Sequence, residues 1–259
     1  MKVCKLSIFI LLTLSLSIHA SSLIWPPEYQ EAISMDSRSH GGGYSPYHNE
    51  FWMPQWSGDY IYRYDKDYNY LGYFDSNQQQ MMQIWGDTDG SYYTANWNYH
   101  TITKKKSMTD NTALWSYNLG GTAGGVTADA NYVYAMRHGY ATLYVLNKAN
   151  GSLIRSLSLT GGGTPANTLY GGLVVIDGYL IRGGYNGYID RYDVDTGQYV
   201  DTFNAGYYIY GSMFDGQNYY IHQNDSSIEY FTMASPIPEI NSMVLVFLGI
   251  AAIFVKYIK

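Results

Sequence analysis

Between residues 24 and 233 the apolar positions do not recur at helical spacing. They come in short alternating runs separated by Gly, Asp and Asn, the pattern of half-buried strands joined by tight turns. One such unit is written more than once. Leu143 to Leu157, "LYVLNKANGSLIRSL", aligns without a gap on Ile189 to Phe203, "IDRYDVDTGQYVDTF". Each reads as a strand, an Asp/Asn-to-Gly turn and a second strand, with Asn150-Gly151 and Thr196-Gly197 at the same turn position. A shorter copy begins at Ile61, with Asp67-Tyr68-Asn69 in the turn. A poorer one begins at Ile102, where Lys104-Lys105-Lys106 interrupts the pattern and a one-residue shift is needed.

The strand centres Ile61, Ile102, Leu143, Ile189 and Ile228 are 41, 41, 46 and 39 residues apart. A period near 40 built only of short strands predicts an all-β β-propeller with four antiparallel strands per blade. The blades run from about Gly41 to Phe74, then to Leu119, Leu159 and Phe203, and the fifth, Tyr207 to Met233, has only three strands of its own. A ring leaves no open edge, so Ser22 to Ile33 is expected to supply the fifth blade's outer strand, where Pro26-Pro27 is tolerated. The alternatives are an incomplete ring or a sixth blade from a partner chain. The run strand-Asp-x-x-[Thr/Asn]-Gly-strand resembles the repeat of quinoprotein-like (PQQ-repeat) β-propellers. Trp115 in "LWSY" matches that repeat's Trp position, which Arg155 and Asp201 occupy in other blades. The resemblance implies the fold and no cofactor.

Both ends of the chain read as addresses. "MKVCKLSIFILLTLSLSIHA" has Lys2 and Lys5, an apolar core and a small-residue end, the form of a secretory signal peptide cut after Ala20; the alternative is an anchor that stays. After Met233 the composition changes. A Pro-rich stretch, 234–242, precedes an apolar run from Met243 to Val255 and then Lys256 and Lys259. Thirteen residues make a helix of ~20 Å, short of the ~30 Å bilayer core, and extending the span to Tyr257 lengthens it, with Lys256 snorkelling. The expected product is an exported propeller held by a single C-terminal transmembrane segment, its lysines inside. A buried core helix is the alternative. With Pro238-Glu239 ahead of a short helix and a basic end, the tail resembles the PEP-CTERM sorting signal of bacterial envelope proteins. That implies exosortase-type processing near Pro238; a lipid-anchor attachment at Ala234-Ser235 is a further alternative.

Composition narrows the chemistry. The one cysteine, Cys4, precedes the cut, so the mature chain has no disulfide, thiolate metal site or cysteine nucleophile. A net charge of −6 with 14% charged residues argues against a nucleic-acid partner. The chain has 30 Tyr and 27 Gly, which suit strands and the turns between them. His40, His48, His100, His138 and His222 have no metal-ligand spacing. The pairs Asp65/Asp67, Asp87/Asp89 and Asp193/Asp195 fall in hairpin turns and lack the remaining ligands of a Ca²⁺ loop; Asp177-Gly178 and Asp215-Gly216 are hairpin turns. No cofactor or metal is implied.

The candidate binding residues are aromatics expected just before inner strands: Trp85-Gly86, Tyr170-Gly171, Tyr210-Gly211 and, one period before Trp85, Tyr44. Tyr44, Trp85, Tyr170 and Tyr210 at one channel mouth would stack on sugar rings; blade-to-blade packing is the structural alternative. The expected function is non-catalytic binding at the cell surface, of a glycan or a surface protein. The alternatives are a carbohydrate-active hydrolase or lyase with axial carboxylates, and a purely structural matrix protein.

Overall fold

The computed structural model describes residues 23–34, 41–163, 172–206, 208–223 and 227–234. The expected leader to Ala20, Tyr170, the expected sorting motif at Pro238-Glu239 and the apolar run from Met243 lie outside the described residues.

Strands follow the alternating runs, and turns follow the Gly, Asp and Asn punctuation. After β1 (Leu23–Ser34) the chain makes β2 (Gly43–Ser45), β3 (Glu50–Pro54), β4 (Tyr60–Tyr64) and β5 (Tyr70–Asp75). The second group is β6 (Met81–Gly86), β7 (Tyr92–Asn96), β8 (Thr101–Lys105) and β9 (Ala113–Asn118). The third is β10 (Ala123–Ala128), β11 (Tyr132–Arg137), β12 (Thr142–Asn147) and β13 (Leu153–Ser158). The fourth is β14 (Leu173–Ile176), β15 (Tyr179–Gly183), β16 (Tyr188–Asp193) and β17 (Tyr199–Asn204). Last come β18 (Gly211–Phe214), β19 (Asn218–His222) and β20 (Ser227–Ala234). Each group of four is one sheet of sequential antiparallel hairpins. The last three strands take β1 as the fourth, in the order β18-β19-β20-β1. Pro26 and Pro27 thus lie on an outermost strand, the place in a sheet that tolerates proline.

The first strand of each sheet packs against the next in the cycle β2, β6, β10, β14, β18 and back to β2. The architecture is an all-β propeller: five four-stranded sheets standing around an axis. Apolar side chains fill the gaps between sheets. Trp52, Ile61 and Phe74 of the first meet Met81, Ile84 and Tyr92 of the second. Tyr134, Met136, Leu143 and Val145 of the third meet Leu173, Leu180 and Tyr192 of the fourth. Each fully buried large side chain contributes about 1.5–3 kcal/mol. Between the first and second sheets the approach is backbone on backbone: a Cβ on Gly43 would fall 1.9 Å from the Ile84 carbonyl oxygen.

The outer hairpins show why the repeat is written as it is. In each of the first four sheets a bulge sits at one position, between Arg63 and Tyr64, Lys104 and Lys105, Val145 and Leu146, and Arg191 and Tyr192. The turn then closes on an Asp or Asn side chain. Asp193 Oδ1 accepts from the Asp195 and Thr196 amides at 3.1 and 2.8 Å, and Asp65 Oδ1 from Asp67 and Asn69 at 2.9 and 2.8 Å. In the inner β6–β7 hairpin Asp89 Oδ1 likewise accepts from the Ser91 amide at 2.9 Å. These acidic pairs cap turns. The Ile102 copy is the poor one because its connection, from Lys105 to Ala113, is longer than its counterparts, Tyr64 to Tyr70 and Asn147 to Leu153.

One repeat position clasps neighbouring sheets. The Trp115 indole covers Gly151 in the next sheet's outer turn, where a Cβ would lie 2.5 Å from the ring, and its Nε1 donates to the Lys148 carbonyl at 3.2 Å. At the same position one sheet later, Arg155 pairs with Asp195 of the following turn at 2.6 Å. One sheet further, Asp201 instead makes a bidentate pair with Arg191 of its own sheet. The junction of last and first sheets is held by Lys66 on Asp215, with the ammonium 4.9 Å from the Tyr44 ring centroid.

Candidate functional site

Antiparallel order puts two kinds of connection at one end of every sheet: the one entering the inner strand and the one from second to third strand. The second kind carries a ring in four sheets. Trp56 follows β3, Trp97 follows β7, His138 follows β11 and Tyr185 follows β15. Trp56 and Trp97 meet edge to face at 6.0 Å, and Trp97 and His138 at 5.0 Å with the planes 47° apart. The arc therefore spans three consecutive sheets. Further round, Tyr185 stacks on Tyr208 at 4.6 Å and 14°, and meets Tyr210 edge to face at 5.0 Å. Tyr99, Tyr140 and Tyr208 at this end are 65, 51 and 60% exposed, while the arc residues and Tyr210 are half-buried.

Hydrogen bonds to the backbone hold the loops that carry these rings. The Gln80 amide donates to the Trp56 carbonyl and the Trp97 amide to the Gln80 carbonyl, both at 3.0 Å. Gln80 thus ties two ring-bearing loops together, and does so in a left-handed conformation, φ +55°, which a non-glycine residue holds only when its surroundings require it. Asn96 Nδ2 donates to the Gln79 carbonyl at 2.7 Å, and the His138 amide to the Thr122 carbonyl at 2.9 Å. A loop fixed in this way loses little conformational entropy when a ligand stacks on its ring.

The axis is occupied by Gln83. From β6 its Nε2 donates to the carbonyls of Leu173 on β14 and Ser212 on β18, at 2.8 and 3.0 Å, and its Oε1 accepts from the Val126 amide on β10 at 3.0 Å. A side chain on one inner strand that bonds three others lies at the centre of the ring, and Gln83 is wholly buried.

Buried carboxylates lie in the hairpins and between sheets. Glu50 takes a bidentate pair from Arg63 at 2.7 and 2.6 Å and the Trp52 indole N–H at 3.1 Å. Burial pushes its carboxyl up, but the Arg63 and Trp52 hydrogen bonds outweigh this and hold it below the ordinary value. Asp215 is likewise raised by burial and lowered more by the Asn218 amide, Lys66 and the Gln217 amide. Both are anions at neutral pH, not poised general acids. Asp190 is buried among Thr202, the Gly163 amide and Tyr192. Two depressed carboxylates give a pH signature. Stability is complete above their unfolded values near pH 4 and is lost as pH falls through the lower folded values. Urea midpoints of the full chain should therefore fall on acidification below about pH 4, and the fall should shrink in Glu50→Gln; an equal fall in that variant would contradict the assignment.

Of the four aromatics chosen from the sequence, Tyr210 joins the Tyr185 group at the entry end. Tyr44 lies within β2, bonded through its hydroxyl to Asn49 at 2.6 Å and packed on Phe51. Trp85, the penultimate residue of β6, faces Tyr93 across the strands. Both sit towards the hairpin end and are 8 and 9% exposed. Tyr170 lies outside the described residues. The sequence reasoning missed Trp56, Trp97, His138 and Tyr185, although their steps of 41, 41 and 47 residues nearly repeat those of the outer strands.

No protein-family model matches the chain, and no curated protein sequence matches it. Solved structures do resemble it. The crystal structure of glutaminyl cyclase from Myxococcus xanthus superposes with a TM-score of 0.65 at 10% identity, covering 81% of this chain and 100% of that one. At that identity the likeness shows the β-propeller fold alone.

Proposed function

We propose that this chain is an exported, surface-held binding propeller that takes carbohydrate at the aromatic mouth. The observation that carries the reading is the arc Trp56, Trp97 and His138, three rings presented by three successive sheets at one end of the axis. Indole faces suit the C–H faces of sugar rings, and half-buried rings on loops held by backbone bonds form a site that needs little ordering. Gln83 closes the axis, so a ligand sits across the mouth. Export and anchoring rest on the leader with Lys2 and Lys5 and on the Pro238-Glu239 tail. The clasp of Trp115 on Gly151 is in keeping with a quinoprotein-like repeat.

The test is a panel of soluble neutral and acidic glycans titrated against the full chain and against Trp97→Ala and Trp56→Ala. Loss of one stacked indole should weaken binding about tenfold, as expected for an aromatic contact of roughly 1.5 kcal/mol. Unchanged affinity in both variants, with unchanged melting, would remove the mouth as the site.

A further inference from the structure

Arg137 adds a charge to that mouth. It ends β11, directly before His138 of the arc. Its guanidinium carbon lies 3.8 Å from the Tyr140 ring centroid, and the group runs over the backbone of Gly121. Most cations of the propeller have a carboxylate: Arg63 has Glu50, Lys66 has Asp215, Lys148 has Asp87, Arg155 has Asp195 and Arg191 has Asp201. Among the described residues no carboxylate lies within ion-pair distance of Arg137, and its buried Nε–H has no acceptor. A buried guanidinium N–H left without an acceptor is costly, and the pull on an anion grows as water is removed. In a chain of net charge −6, an unpaired guanidinium at the end of the strand that leads into His138 is a local feature set against the field of the whole molecule.

We infer that the mouth selects an acidic polysaccharide, with sugar rings on Trp97 and Trp56 and a carboxylate or sulfate of the chain on Arg137. The inference rests on the carbohydrate reading above. The planar guanidinium fork matches a carboxylate in two parallel hydrogen bonds and holds a sulfate through two of its oxygens. Tyr140, its ring centroid 3.8 Å from the guanidinium carbon, restrains the direction of the fork.

Calorimetric titration of the full chain tests this with four probes: oligogalacturonate, its methyl ester, a dextran sulfate oligomer and an oligo-dT strand. Oligogalacturonate and dextran sulfate should each bind at least about tenfold tighter than the ester, the scale of one charge-assisted contact. Arg137→Gln should abolish that margin while leaving the ester's affinity as it was. Arg137→Lys, which keeps the charge and loses the fork, should fall between. The margin should also narrow as salt rises. Equal affinity for the acid and its ester overturns the inference and leaves the carbohydrate reading standing, provided both still depend on Trp97. An acid preference that survives Arg137→Gln in a folded variant overturns it too. Binding of oligo-dT as tight as that of the acidic glycans overturns it in favour of a single-stranded nucleic-acid site. Failure of every glycan to bind removes both readings.

Discussion

Asp87→Ala is expected to destabilise the propeller by about 3–5 kcal/mol, the range for breaking a buried ion pair from one side. The Asp87 side chain is 3% exposed. It takes Lys148 of the third sheet at 2.8 Å, Lys104 of its own sheet at 3.5 Å and the Tyr93 hydroxyl at 2.7 Å. Truncation leaves two ammonium groups, 9 and 20% exposed in their side chains, without the anion they surround. The Tyr93 hydroxyl also loses its acceptor. Lys104 keeps a solvent-exposed partner in Asp89 at 3.4 Å, and Lys148 keeps the Asp129 carbonyl at 2.8 Å, so the loss is partial for both. A double-mutant cycle in urea separates the pair from general damage. Asp87→Ala with Lys148→Met should be more stable than Asp87→Ala alone, because the second change removes the stranded charge. A single-mutant loss below about 1 kcal/mol, the scale of a surface pair, would refute Asp87 as the buried anion joining the second and third sheets.

Gln83→Leu has the second large effect. Leucine fills nearly the same volume but returns nothing to the Leu173 and Ser212 carbonyls or the Val126 amide. Three buried backbone groups on three inner strands then go unpaired. At about 1–3 kcal/mol each, with partial relaxation, the total is roughly 3–6 kcal/mol. Gln83→Glu provides a sharper reading. An ionised carboxylate still accepts from Val126 but faces two carbonyl oxygens, so its folded pKa must rise above the unfolded value near 4.3. The folded state then binds the extra proton, and stability falls as pH rises from about 4.3 through the raised value. Thermal melts of the glutamate variant should therefore improve on mild acidification, opposite in sign to the chain's own acid response. Melts that do not respond to pH would place Gln83 in contact with water rather than at a closed axis.

The fold was legible because a hairpin is a local object. Ile189 to Phe203 carries its two strands, its Asp193 turn and its bulge within fifteen residues, and the structure pairs Ile189 with Phe203. Repetition of that object at a near-constant step left little freedom for the rest. The candidate site was less legible. Trp85 and Tyr44 were placed by distance along the chain from an aromatic-Gly pair, which does not say at which end of a short strand a side chain finishes. Trp56, Trp97 and His138 carry the same period as the strands, but they lie in connections, and His138 was weighed as a metal ligand rather than as a ring. Gln83 was out of reach. It stands four residues after Gln79 and three after Gln80 with nothing local to set it apart; its importance comes from partners 43, 90 and 129 residues away.

The pairing of β1 with β20 has a kinetic side. Those strands are separated by almost the whole described chain, so the last hairpin gains its outer neighbour only when the earliest and latest segments meet. Closing a loop of that length costs entropy before any contact offsets it, and such non-local pairing is slow. The first four sheets, made of consecutive hairpins, can form as they leave the ribosome. The fifth waits, with β1 unpaired until β20 is made, and in that interval a second copy's β20 is as good a partner as its own.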